Sequence, residues 1–229
     1  MKLKKFLFFL TLILKSSIIF SNHIQIIAHR GASGIFPEHT LASYYEGFRA
    51  GADFLEQDIV LTKDLVPIVL HDIYLEPTTN VQKIFPGRSR TDGHYYAIDF
   101  TLKEIKQLSV GERKNHDGDV VFPNRFPGGF YHFKVPTFRE TLHFINKLNE
   151  KSNKIVKIYP EIKKPDFHLK EGKDIAKIVH EVLKSYGYEQ KTNHIYLQCF
   201  HNETLRRFKN EFKTNLPLIQ LIEDIHLDP

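Results

Sequence analysis

Apolar residues gather in short runs at residues 23–28, 54–61, 67–70, 155–162, 194–200 and 216–222. Most runs are rich in Ile, Val and Leu with few polar breaks, the pattern of interior parallel strands covered on both faces. Between several of them the spacing becomes helical. Residues 40–50 put Leu41, Tyr44, Tyr45 and Phe48 on one face and stop at Gly51. Thr137 and Glu140 have capping-box spacing ahead of a helix to about residue 149. Ile175, Ile178, Val179, Val182 and Leu183 keep helical spacing up to Tyr186, and Gly187 closes that element. A last helix is predicted at about residues 203–212. Strand and helix in repeated alternation predict an α/β fold with parallel strands.

One region breaks the alternation. From about residue 75 to 135, Gly, Pro, Arg and Tyr accumulate with little periodicity, around a short helix predicted at 102–108 behind a second capping box, Thr101 to Glu104. This reads as an insertion on the strand-end face of the fold, where loops build sites.

The first 22 residues stand apart from residues 23–229, which read as one domain. Lys2, Lys4 and Lys5 precede the apolar stretch from Phe6 to Leu14, which is shorter than the roughly 20 residues a membrane span needs. That is the layout of a signal peptide, so a periplasmic or exported protein without a stable membrane span is expected. Lys15 and the weak site at Ser21-Asn22 keep an uncleaved anchor over residues 6–20 open. Residues 1–22 hold four lysines and no acids, so without them the formal charge falls from +5 to +1. The basic balance thus concerns targeting. No basic stripe interleaved with aromatics is present, and no nucleic-acid partner is expected. The single cysteine, Cys199, has Leu197 and Phe200 nearby in sequence and reads as a buried, unreactive thiol. Export to an oxidising compartment is compatible with that count.

Ionisable groups mark the ends of the runs. His29 and Arg30 follow the first; Glu56 and Asp58 lie two apart in the second and so share one strand face. Paired carboxylates on an apolar strand repel and are costly to bury, unless a divalent cation of the Ca²⁺ or Mg²⁺ type lies between them. Solvated acids on an exposed edge strand are the alternative. His71 follows the run at 67–70, and Glu161 and Lys163 end the run at 155–162, where a surface ion pair is the plainer reading. Jointly, four strand ends with ionisable groups converge on one mouth in a parallel barrel. Two histidines, a carboxylate-held cation, Arg30 and Lys163 suit acid–base cleavage of a phosphate ester. No nucleotide-binding Gly-rich loop accompanies them.

These residues resemble the glycerophosphodiester phosphodiesterase family, in particular its exported bacterial GlpQ type. The resemblance is carried in order by His29-Arg30-Gly31, Pro37-Glu38-His39-Thr40, Glu56-Gln57-Asp58, Thr62-Lys63-Asp64 and His71-Asp72. Later blocks at residues 92–100, 159–163, 196–200 and 218–222 extend it over residues 24–222. It implies a TIM (β/α)8-type barrel with an inserted subdomain after strand 3. His29 and His71 would be the acid–base pair, and Arg30 and Lys163 would bind the phosphate. Glu56, Asp58 and Glu161 would hold the metal, Ca²⁺ rather than Mg²⁺. The substrate would be a small glycerophosphodiester, cleaved to sn-glycerol 3-phosphate and an alcohol. Six predicted strands fall short of eight, so the last two βα units are expected to be lacking. An open barrel exposes strand edges, which makes a non-catalytic remnant the competing expectation. A related barrel lyase acting on sphingomyelin-like lipids is a third, disfavoured by the insertion.

Overall fold

The computed structural model describes residues 24–125 and 133–223; the signal peptide expected at residues 1–22 lies outside them. Strands β1 (Ile27–Ala28), β2 (Phe54–Leu61), β3 (Pro67–Val69), β4 (Lys157–Ile162), β5 (Leu197–Cys199) and β6 (Leu218–Gln220) form one sheet. Its order is β1-β2-β4-β5-β6, with β3 attached to β2 alone. Five of these strands run parallel. β3 does not: it pairs antiparallel with β2, Ile59 opposite Val69 and Leu61 opposite Pro67.

That direction corrects the expectation of an interior parallel strand at 67–70. A parallel crossover needs a dozen or more residues, whereas only residues 62–66 join β2 to β3. Thr62 N–H instead donates to Val66 O (3.1 Å) and closes a hairpin. β2 thus rises past the ends of its parallel neighbours, and β3 brings the chain back. The inserted segment follows the third strand in chain order but only the second parallel one.

Helices α1 (Leu41–Arg49), α2 (Val81–Ile84), α3 (Leu102–Ile105), α4 (Phe138–Glu150), α5 (Pro165–Lys170), α6 (Ile175–Ser185) and α7 (Asn202–Asn210) complete the described elements. Both capping boxes form: Thr101 and Glu104 close on each other before α3, Thr137 and Glu140 before α4. Gly187 takes φ 76° just past α6, as a helix stop requires. The four- and six-residue helices α2 and α5 are too short to show a period, and the sequence did not predict them.

The pleat of β2 divides the core. Leu55, Ile59 and Leu61 face outward and pack with Ile158, Ile162, Leu197 and the apolar faces of α4, α6 and α7. Val60, on the opposite face, packs with Ile68, Leu70, Phe100, Val110 and Val135 beneath the insertion. α1 lies close on the sheet: a Cβ on Gly47 would come within 3.0 Å of Ala28 Cβ and 3.1 Å of Leu55 Cδ2. Cys199 is buried, its Sγ donating to Ile162 O (3.3 Å), and burial pushes its thiol up to about 11. The inert thiol expected there is what forms. Among the described residues no helix is long and apolar enough to cross a membrane.

Candidate active site

All eight residues of β2 are buried. On its inner face Phe54, Glu56, Asp58 and Val60 follow one another at the strand period. Phe54 stacks on Tyr196 (5.1 Å between ring centres) and tilts against Tyr159 (6.0 Å), plugging the sheet below the acids. Val60 belongs to the insertion core above them. Glu56 (2 % exposed) and Asp58 (1 %) are therefore sandwiched between apolar layers, which removes the exposed-edge alternative. The β2–β4 register sets Glu161 opposite Asp58, and Glu161 is 7 % exposed.

The trio ionises unevenly. Burial opposes the charge on Asp58, yet the His39 hydrogen bond and the charges of His39 and Lys163 hold it well below the ordinary carboxylate range. Burial and then the Asp58 charge push Glu56 well above it. Burial and Asp58 also raise Glu161, against Lys163, whose Nζ lies 2.8 Å from Glu161 Oε1. Lys163 Nζ is 3.6 Å from Asp58 Oδ1. Three clustered carboxylates that cannot all ionise together suit a hard divalent cation, which would relieve that repulsion. His39, Glu56 and Asp58 each bring a donor atom within 4.8 Å of the others, a grouping that includes a histidine not foreseen as a site residue. His39 Nε2 lies 2.8 Å from Asp58 Oδ2, and its Nδ1 lies 2.7 Å from the Tyr44 hydroxyl. Since Asp58 is ionised it must accept, so Nε2 carries hydrogen. His39 thus orients Asp58.

Arg30 and the loop behind it are bent around this cluster. Arg30 is left-handed (φ 59°), and its backbone N–H donates to Glu56 Oε2 (2.7 Å). Gly31 follows at φ 82°, where a Cβ would meet Ser43 Oγ at 2.5 Å, so only glycine fits. His39 (φ 59°) and Lys164 (φ 41°) also hold this costly conformation for side-chain-bearing residues at the same rim. Arg30 Nη1 donates to both Glu38 oxygens (3.2 and 3.3 Å), while its buried Nε lacks a hydrogen-bond acceptor, 3.7 Å from Asp58 Oδ2. That leaves a donor aimed into the site.

The histidines arrive by different routes. His29 sits at the end of β1 on the rim, and burial, Arg30 and the neighbouring His39 and His71 lower its pKa against the pull of Asp58. His71 comes back on β3: Leu70 N–H donates to Asp58 O (2.9 Å), which sets the next residue beside the acids. His71 Nδ1 lies 2.9 Å from Asp72 Oδ1. Burial opposes the Asp72 charge, but His71 and Arg113 bring its carboxyl down to about 2. It accepts, so His71 keeps hydrogen on Nδ1. A cleft of about 530 Å³ opens beside His71, Glu161 and Lys163, walled by Lys164, Phe200 and His201. The structure thus gathers all seven residues singled out in the sequence at one mouth. Glu38, His39, Tyr44, Asp72 and Arg113 were missed; only Glu38, His39 and Asp72 lie within recognisable motifs.

Parallel strands with their polar groups collected at the C-terminal ends define the TIM-barrel class of enzyme folds. The family model described as "Glycerophosphoryl diester phosphodiesterase family" matches residues 29–227, and the chain belongs to that family. It is 50 % identical over 204 residues to a glycerophosphodiester phosphodiesterase of Haemophilus influenzae, covering 86 % of this chain and 56 % of that protein. Against one from Treponema pallidum it is 42 % identical over 207 residues, 86 % of this chain and 58 % of the relative. The chain therefore spans little more than half the length of these curated relatives. Among solved structures, a glycerophosphoryl diester phosphodiesterase from Silicibacter pomeroyi superposes with TM-score 0.69 at 26 % identity, over 88 % of this chain and 65 % of the other. A phosphodiesterase from Oleispira antarctica, solved with its product sn-glycerol-3-phosphate, shares the fold at TM-score 0.61 and 23 % identity, over 90 % and 68 % of the two chains.

Proposed function

We propose that this chain carries out metal-assisted hydrolysis of glycerophosphodiesters to sn-glycerol 3-phosphate and an alcohol. The observation that carries the reading is the buried Glu56–Asp58–Glu161 cluster with a histidine on either side, in a chain of this family. Those three carboxylates would hold the cation, Ca²⁺ in preference to Mg²⁺. When bound, it supplies charge neutralisation to the phosphoryl oxygens. Arg30, through the Nε that lacks a hydrogen-bond acceptor, and Lys163 would add fixed positive charge to the same group.

His29, kept neutral by its lowered pKa, suits the base. It takes the proton of a glycerol hydroxyl as that oxygen bonds to phosphorus. The bond from phosphorus to the alcohol oxygen breaks, and His71 gives that oxygen a proton from Nε2, its Nδ1–H held by Asp72. In the second half the roles reverse: His71 takes a proton from water, water opens the cyclic phosphate, and His29 returns its proton to the glycerol oxygen. The basic and apolar leader supports export to the periplasm.

The deciding experiment is turnover of glycerophosphocholine by the purified chain, stripped with chelator and then supplied with Ca²⁺ or Mg²⁺. Turnover lost on stripping and restored best by Ca²⁺ is the expected result. Turnover indifferent to chelator overturns the metal assignment. His29→Ala is expected to lose about 10²–10⁴-fold in kcat.

A further inference from the structure

We propose that Arg113, from the inserted segment, is a positioning residue that aligns His71 through Asp72 and Arg30 through Glu38; this rests on the reading of His71 and Arg30 given above. Its guanidinium is divided between two carboxylates on different parts of the chain. Nε and Nη2 donate to Glu38 Oε2 (3.0 Å) and Oε1 (2.6 Å), while Nη1 donates to Asp72 Oδ2 (2.7 Å). That leaves Asp72 Oδ1 for His71 Nδ1 (2.9 Å). On the other arm, Glu38 receives Arg30 Nη1 at 3.2 and 3.3 Å. One planar cation, 75 positions from Glu38 and 41 from Asp72, therefore ties the loop after β1 to the residue beside His71.

The backbone that presents Arg113 is fixed. Gly111 N–H donates to Thr78 O (3.0 Å), Lys114 N–H to Pro77 O (2.8 Å), and Arg113 O accepts from Val121 N–H (2.9 Å). A lysine has the charge but not the fork, and cannot hold both carboxylates in these directions. With Asp72 released, the His71 ring loses the acceptor that sets its tautomer and plane.

The test compares Arg113→Ala and Arg113→Lys with the full wild-type chain. In Arg113→Ala, kcat on glycerophosphocholine is expected to fall about 10- to 100-fold and KM to rise, with partial rescue by added guanidinium ion. Arg113→Lys, which keeps the charge between Glu38 and Asp72, is expected to fold and to lose kcat as well. Ring ¹⁵N spectra recorded in alkaline solution, where the ring is neutral, with His71 assigned by His71→Gln, should show a single Nδ1–H tautomer in the wild type and a mixture in the variants. A folded Arg113→Lys with kcat and KM within twofold of wild type and an unchanged His71 tautomer overturns the proposal, even if the alanine variant unfolds. Wild-type chain inactive on the diester would sink the proposed function instead, while the tautomer comparison still decides the role of Arg113.

Discussion

On β2 an unbroken run of eight buried residues carries two acids, held by parallel ladders on both sides. Above it, residues 71–125 reach the same mouth with short helices, single bridges and ion pairs between distant side chains. The two regions solve different problems. The strand places charges where burial makes them unstable, an arrangement that a bound cation would relieve. The insertion fixes the direction of groups already present, using fully ionised pairs such as Glu38–Arg113, where Arg113 overcomes burial to bring the Glu38 carboxyl down to about 2. Stored repulsion lies on the strand and neutralised charge in the clamp.

The largest expected effect breaks the strand side of this contrast. Glu56→Gln should cost about 10³-fold or more in turnover, several kcal/mol of lost cation binding and transition-state stabilisation. The same variant should melt higher than wild type in chelator near neutral pH. The sign follows from Glu56: its folded pKa is raised, so stability is lost as pH climbs above its unfolded value of about 4.3. A variant that melts lower in chelator would show that the acids are not in conflict.

His39→Ala tests whether an orienting residue behaves as one. A loss of about 10- to 100-fold in metal affinity, read by calorimetry, is expected when Asp58 is released. A far greater loss would make His39 a ligand. On the clamp side, Asp72 titrates at about 2 in the fold and near 3.9 unfolded. Its contribution, about 2 kcal/mol, is present above pH 4 and disappears as pH falls toward 2. Asp72→Asn should flatten that limb of a urea-unfolding series measured against pH. The smallest effect concerns the hairpin linking the regions. Leu65 is exposed with φ 64°, so Leu65→Asn should stabilise by about 0.5–1 kcal/mol.

Much of the strand region was legible from residue order, because burial and period are local properties. The faces of β2, the two capping boxes and the stop at Gly187 each depend on residues within a few positions of one another. The direction of β3 was also within reach, since residues 62–66 cannot span a crossover; apolar content records burial and carries no direction. His39 was masked because its importance lies in Tyr44 and Asp58, partners that only the fold brings to its two ring nitrogens. Arg113 left no signal at all. It sits among irregular backbone, and its partners are 75 and 41 positions away.

The return of the chain on β3 has a further consequence for how such a molecule can change. His71 is tied to the acid-bearing strand through a loop of five residues, whereas the helix α4 that leads to the next parallel strand begins only at Phe138. The described part of that interval is tied back on the way: Lys63 N–H donates to Phe100 O (2.8 Å), Leu102 N–H to Asp64 Oδ1 (2.9 Å), and Arg113 Nε to Glu38 Oε2 (3.0 Å). Arg113 grips Asp72 Oδ2 (2.7 Å) from within that interval, so a change in its length leaves His71 aligned only where this contact is kept. The hairpin thus fixes where the His71 backbone sits, and the Arg113 contact from the far side of the interval fixes how its ring is held.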